Sequence, residues 1–309
     1  MKKSITLFFL SLFCISGAVY AQGCSDAGFC SAGSMQNHNG QDEYVNLSKV
    51  SASISYGVGE QGVSIVQFTP EVQIGLFTGT QIQVKIPFMA INGNIGSNSG
   101  LGDAIFSITQ KLPIDLNDGD ILITAGSRIP IGTTDEKDKD GPLPMPYQTG
   151  LGTLDGIGGL SVRLKQWKMS AGFQWVMDDQ NKNQFLRAAW LGNEDAQKYF
   201  ESNKLKRGND ALLRIDRSLK VGRFVFTPGV LGIYRLNKDS YVNENGVRSS
   251  ISGSDGLTLN INLSSDIKIN DKAGLNVIAA FPAVVRDKRP DGLTRSAVLS
   301  FTFSRTLGN

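Results

Sequence analysis

In 309 residues the chain carries 31 Lys and Arg, 28 Asp and Glu, one His, three Cys and 35 Gly. Glycine is well above the roughly 7% of an average protein, and the 19% charged share falls below the usual ~25%. The net charge of +3 drops to +1 once Lys2 and Lys3 are set aside, which excludes a globally basic nucleic-acid binder, and a single histidine removes most general-base chemistry.

The first element is an export signal. Met1-Lys2-Lys3 is positive, Ile5 to Val19 is almost wholly apolar, and Ala-Val-Tyr-Ala at 18–21 places small residues where a signal peptidase reads. Cleavage is expected after Ala21, because the apolar run is short for a spanning helix. Residues 22–43 follow as an N-terminal periplasmic segment holding Cys24 and Cys30. In an oxidising compartment a disulfide between them is favoured; a metal site with Asp26 and His38, or a lipid on Cys24, are the alternatives. Position and constraint make this segment a candidate plug for the mouth of a barrel.

From residue 44 onward apolar and polar residues alternate, the period of strands with two unlike faces. Val50, Ala52, Ile54 and Tyr56 share one face while Ser51, Ser53 and Ser55 share the other. Leu257, Leu259, Ile261 and Leu263 oppose Thr258, Asn260, Asn262 and Ser264 in the same way. Twelve strands are expected, at about 44–58, 61–76, 80–91, 101–115, 120–133, 150–165, 167–178, 210–221, 223–238, 254–269, 274–286 and 293–305. Most reach the roughly nine to eleven residues that a tilted strand needs to cross a bilayer, and their number is even. The fold expected for 44–309 is all-β, a transmembrane antiparallel up-and-down β-barrel. Links alternate between short (77–80, 113–120, 166, 222 and 270–273) and mostly long (92–100, 134–149, 178–209, 237–253 and 286–292), with 59–61 the one tight link of the second set. That asymmetry is the one between periplasmic turns and extracellular loops. Pro70, Pro228 and Pro282 fall inside expected strands, where each removes a ladder donor, so they should mark bulges or strand ends.

Candidate chemistry is sparse. A barrel hydrolase needs a nucleophile beside a base. The one histidine, His38, precedes the first strand in a polar stretch, which argues against a histidine-dependent enzyme. Four carboxylates in 135–141 partly resemble a calcium loop but lack the full ligand spacing, so a solvated loop is the simpler expectation. The stiff Pro142 to Tyr147 stretch could fold over a pore mouth. In the longest loop Asn193 can cap a short helix, and Phe185, Trp190, Tyr199 and Phe200 are candidates for an apolar entry site. The lumen face is polar and mixed in sign: Lys85, Lys111, Arg128, Arg163, Arg214 and Asp216 are the candidate ligand path, with Gln67, Glu71, Gln73, Lys168 and Arg235 beside them. Opposed charges in a narrow barrel are expected to pair across it. No cofactor is expected.

Gly100-Leu101-Gly102-Asp103, opening a strand, resembles the G-x-G-D start of bacterial outer-membrane proteins of the meta-pathway phenol-degradation family. Ile129-Pro130-Ile131-Gly132-Thr133 resembles that family's L-P-x-G element, and Gly150-Leu151-Gly152-Thr153-Leu154-Asp155 its G-x-G-x-x-D stretch. The resemblance implies an outer-membrane barrel, grouped with transporters of hydrophobic or aromatic compounds, and supplies no catalytic residues. The signal ending and the cysteine-rich start resemble exported proteins of Bacteroidota. Asn309 departs from the aromatic residue that usually ends such barrels, although Phe301 and Phe303 lie close by.

The expected protein is thus an outer-membrane barrel of a Gram-negative bacterium, not an enzyme, that takes up a small hydrophobic or aromatic solute passively. Its expected partners are outer-membrane lipid and lipopolysaccharide, the barrel-assembly machinery and the solute, with no nucleic acid. The alternative is a non-transporting surface barrel whose long loops bind a partner.

Overall fold

The computed structural model describes residues 31–36, 47–114, 116–292 and 295–307. The signal segment, Cys24, Cys30 and His38 lie outside them.

Twelve antiparallel strands close into one barrel. They are β1 (Ser48–Gly59), β2 (Ser64–Phe77), β3 (80–93), β4 (96–111), β5 (Gly119–Ile129), β6 (Thr153–Leu164), β7 (Trp167–Asp179), β8 (210–221), β9 (Phe224–Arg235), β10 (Gly256–Lys268), β11 (Ala273–Val284) and β12 (Arg295–Leu307). Each strand pairs with the next, and β12 returns to β1 through pairs such as Ser55 with Ser300, which leaves no free sheet edge. Closure lets neighbouring strands satisfy one another's backbone groups around the whole wall apart from a few local breaks, the condition for crossing a bilayer with sheet. No helix among the described residues is long and apolar enough to cross a membrane.

The alternation decides which face meets which solvent. Ile54, Phe68, Val84, Ile108, Ile123, Leu160, Phe173, Leu213, Val230, Ile261, Phe281 and Leu299 all stand exposed on the outside of the wall. An apolar belt around the whole circumference far exceeds the patches that water-soluble monomers expose. Aromatic residues flank it at both ends: Tyr56, Phe88, Trp175 and Tyr234 toward the long loops, and Phe77, Trp167 and Phe303 toward the short turns. Arg217 lies over the Trp167 ring, 5.2 Å from its centroid, at that second rim.

The prolines sit where the ladder is interrupted. Pro70 faces the break between Lys85 and Phe88 in β3, and Pro228 faces the break between Arg217 and Leu219 in β8. Pro282 stands at a register shift between β10 and β11.

One link differs from the sequence reading. Asn92 to Gly100 is not a long loop: β3 and β4 run on to a two-residue turn at 94–95, and Gly96–Leu101 pairs with Phe88–Gly93. Its composition is Ser, Asn and Gly because it packs on other loops instead of lipid; Asn98 Nδ2 donates to the Tyr147 carbonyl at 2.9 Å. In the longest loop the expected helix is reduced to two 3-10 turns, Arg187–Trp190 and Ala196–Lys198, with Asn193 Oδ1 accepting from the Ala196 amide at 3.0 Å. The acidic 135–141 stretch makes a two-residue hairpin, and no cluster among the described residues has the make-up of a metal site.

Candidate functional site in the barrel lumen

Inward-facing residues turn the lumen into a polar chamber that is filled from both ends. From the short-turn end, residues 31–36 enter and lie against β3 to β8. The Gly33 amide donates to Gln83 Oε1 at 2.8 Å, and Ser34 Oγ meets Thr124 Oγ1 at 2.8 Å and Ser161 Oγ at 3.0 Å. Lys168 Nζ donates to the Gln36 carbonyl at 2.6 Å, and Arg214 Nη1 to the Met35 carbonyl at 3.4 Å. Ala32 and Met35, both fully buried, join Ile105, Ile157, Leu212, Leu231 and Ile233 in an apolar cluster inside the barrel. Two glycines make room for this. Gly33 has φ +48° and lies against Thr109 and Thr124, while Gly159 lies against the Met35 thioether, so a Cβ at either place would collide.

From the opposite end the long loops fold inward. Val63, Ile65, Ile95, Leu143, Tyr147, Phe185, Trp190 and Tyr199 pack into one buried cap. Tyr147 and Tyr199 stack edge to face at 5.6 Å, with their hydroxyls 3.0 Å apart. Burial, helped by that hydrogen bond, pushes the Tyr199 hydroxyl well above the usual phenol range, so it stays a donor. Trp190 Nε1 donates to the Pro142 carbonyl at 2.9 Å.

Beneath this cap lies a buried ionic cluster. Arg235 reaches Asp210 at 2.6 Å, Asp239 at 2.5 Å and Asp291 at 2.9 Å. Arg286 lies 3.3 Å from Asp291, and Arg207 lies 3.3 Å from Asp210 and 3.5 Å from Asp155. Burial alone would raise the Asp291 carboxyl, but Arg286, Arg235 and Arg207 together outweigh it and hold that group well below the usual carboxylate range. Asp239 goes the other way: burial raises it more than Arg235 lowers it.

The candidate path residues divide by depth. Lys85 pairs with Glu71 at 3.3 Å, Arg128 lies 3.9 Å from Asp155, and Arg214 pairs with Asp216 at 2.8 Å, all buried in the chamber. Lys111 and Arg163 instead share Asp120 at the short-turn rim, Arg163 at 2.6 Å. Phe185, Trp190 and Tyr199 are packed inside the cap, and Phe200 is half-buried beside Pro146 and Arg289.

Between cap and N-terminal segment remains a cavity of about 220 Å³. The 145–151 stretch of the loop after β5 roofs it, β10, β11, β12, β1 and β2 form its main wall, and Ser31 and Gln36 lie at its floor. Met145 and Pro146 of the roof belong to the stretch expected to fold over a pore mouth, whereas Gln148 to Leu151 and Asn260 are lining residues that the sequence reading did not single out as a site. The alternation does place Asn260 on the lumen face; its lack of partners becomes visible only in three dimensions.

A barrel with an apolar outer belt, aromatic borders, short turns at one end and infolded loops at the other is the architecture of outer-membrane β-barrels. No protein-family model matches the sequence, and no curated protein sequence matches it. Among solved structures it is similar to an outer membrane channel from Pseudomonas putida F1, with a TM-score of 0.62 and 11% identity over 88% of this chain and 100% of that one. The NanC porin (TM-score 0.44, 9% identity, 85% and 100% coverage) and the KdgM porin (0.45, 6%, 84% and 99%) are more distant.

Proposed function

We propose that this protein is a passive outer-membrane channel for small solutes, held narrow by its own N-terminal segment. The observation that carries the reading is the buried seat of residues 31–36 across a lumen that otherwise keeps a cavity beneath the loop cap. Burial of Met35 contributes about 1.5–3 kcal/mol, and each hydrogen bond from Gly33 and Ser34 about 1 kcal/mol net. That is enough to keep the segment seated and small enough to be reversed by a modest change in the wall. On this reading the chain is exported by a cleaved signal, inserts among outer-membrane lipid and lipopolysaccharide through the barrel-assembly machinery, and performs no catalysis.

The test is conductance in planar bilayers of the mature chain and of a variant lacking residues 24–40. The deletion is expected to raise single-channel conductance several-fold while the barrel keeps its heat-modifiable gel mobility. Equal conductance in the two proteins would refute the plug, and closure of both would refute the channel.

A further inference from the structure

The wall of the cavity divides by chemistry. Its ionisable residues stand on β2 to β5, on β8 and in the loop after β11: Glu71, Asp103 and Asp291 against Lys85, Arg128 and Arg214. Each is engaged. Glu71 holds Lys85, Arg128 faces Asp155, Arg214 holds Asp216, and Asp291 holds Arg235 and Arg286. Asp103 accepts the amides of Leu151 at 2.8 Å and Gly132 at 3.2 Å. An ion entering here would give up its hydration and find every counter-charge already spent.

β1 and β12 present open hydroxyls instead. Ser55 and Thr302, 5% and 9% exposed, line the cavity together with the half-buried Ser300. No group among the described residues hydrogen-bonds to any of these three side chains. The unmet amide atoms of Asn260 and the Ser51 hydroxyl are sealed within the wall, whereas these three hydroxyls keep accessible surface. Register fixes their spacing, because Ser55 stands opposite Ser300 and Ser53 opposite Thr302. That gives about 5 Å across the ladder, about 6.6 Å along β12 from Ser300 to Thr302, and about 7–8 Å on the diagonal from Ser55 to Thr302.

Each hydroxyl both donates and accepts, so its natural complement is another hydroxyl. A solute with one hydroxyl answers one corner of this triangle and leaves the others unmet, and sites built for hydrogen bonds discriminate strongly against such analogues. A short chain with a hydroxyl on each carbon answers all three. Ile65, Met89, Leu231 and Val298 line other parts of the space and suit the C–H surface of such a chain. Scaling from the roughly 150 Å³ cavity that takes the six carbons of benzene, about 220 Å³ takes roughly nine non-hydrogen atoms. A four-carbon polyol falls within that size.

We propose that the lumen cavity binds a small neutral polyol, and that Ser55, Ser300 and Thr302 select it by the number and spacing of its hydroxyls. The inference rests on the channel reading above and gives its solute a class, polyhydroxylated and uncharged, opposite in polarity to the aromatic compounds that the sequence resemblance implies.

The test uses the mature full-length chain in lipid nanodiscs, with empty nanodiscs as blank, and three probes on one four-carbon chain: erythritol, butan-1-ol and erythronate. Saturation-transfer NMR titration should show erythritol binding at least about tenfold more tightly than either of the others, a difference of about 1.4 kcal/mol. The double variant Ser55→Ala with Thr302→Val should lose about tenfold in erythritol affinity. Thr302→Ser, which keeps the hydroxyl, should bind erythritol as the wild type does. Heat-modifiable mobility checks that each variant folds; should the double variant fail, Thr302→Val set against Thr302→Ser decides. Butan-1-ol or erythronate binding as tightly as erythritol, no binding of erythritol, or unchanged affinity in the folded variants that lack hydroxyls would overturn the site. Bilayer conductance on the same preparation separates the two ideas: conductance without erythritol binding removes the site and leaves the channel, while binding without conductance does the reverse.

Discussion

Gly159 is the point where the barrel wall makes room for the N-terminal segment. Of its neighbours on β6, Ile157 belongs to the same apolar cluster as Ala32 and Met35 and Ser161 bonds Ser34, while Gly159 meets the Met35 thioether with bare backbone. A β-branched residue suits a strand, so Gly159→Val should leave the wall intact and strike first at Met35, whose thioether is the nearest group to a Cβ there. Forcing a side chain into a filled site costs about 1–3 kcal/mol, comparable to what burial of Met35 contributes. The expected result is conductance rising toward that of the 24–40 deletion with unchanged heat-modifiable mobility; wild-type conductance in a folded Gly159→Val protein would show that Met35 does not hold the segment. The sequence marked residues 22–43 as a candidate plug by position alone, and the seat of that segment was not legible in it. The fit of Ala32, Gly33, Ser34 and Met35 to Thr124, Gly159 and Ser161 is a complementarity of small residues more than seventy positions apart, and it leaves no local pattern. The charged lumen residues, by contrast, announced themselves through alternation, because a charge on the other face would stand in lipid.

Among elements, the strands were legible and the upper part of the β3–β4 hairpin was not. Alternation signals a strand only where its faces meet unlike surroundings. Above the membrane Gly96–Leu101 meets loop on one side and solvent on the other, so apolar periodicity disappears although the ladder continues. The cap built on such extensions is tied to the barrel by arginines, and this gives it a pH response of defined sign. Asp291 is depressed when folded, so its stabilisation is complete above the unfolded carboxyl value of about 3.9 and is lost progressively as the pH falls below it. Asp239 is raised when folded, so it takes up a proton more readily in the native state, and acidification through its range adds slightly to stability instead. Protection of the loop after β9 (236–255) against hydrogen exchange should therefore hold or rise slightly from neutral pH into mild acid and fall below about pH 4. Asp291→Asn should remove most of that acid-side fall while lowering protection at neutral pH, since Arg207, Arg235 and Arg286 then share one carboxylate fewer. A protection profile that declines steadily from pH 7 would contradict this assignment of the two aspartates.

At the scale of the molecule, the low charge content acquires a physical explanation. Half of every strand faces hydrocarbon, so charge is confined to lumen, rims and loops, and the count of Lys, Arg, Asp and Glu falls accordingly. The same division predicts that tolerance to charge depends on depth along a single strand. On β10, Ile261 is exposed near the middle of the apolar belt, and Leu257 is exposed one residue from the strand's long-loop end. Both point outward, and they pair with Val230 and Tyr234 of β9. Arginine at the bilayer midplane costs about 2–4 kcal/mol, whereas near the interface it costs about 0–1 kcal/mol because the guanidinium reaches headgroups. Ile261→Arg should therefore lower the guanidinium midpoint for unfolding from lipid vesicles far more than Leu257→Arg does. Equal and small effects would mean that the outward face of β10 meets water, and the membrane-spanning reading of the belt would fall with it.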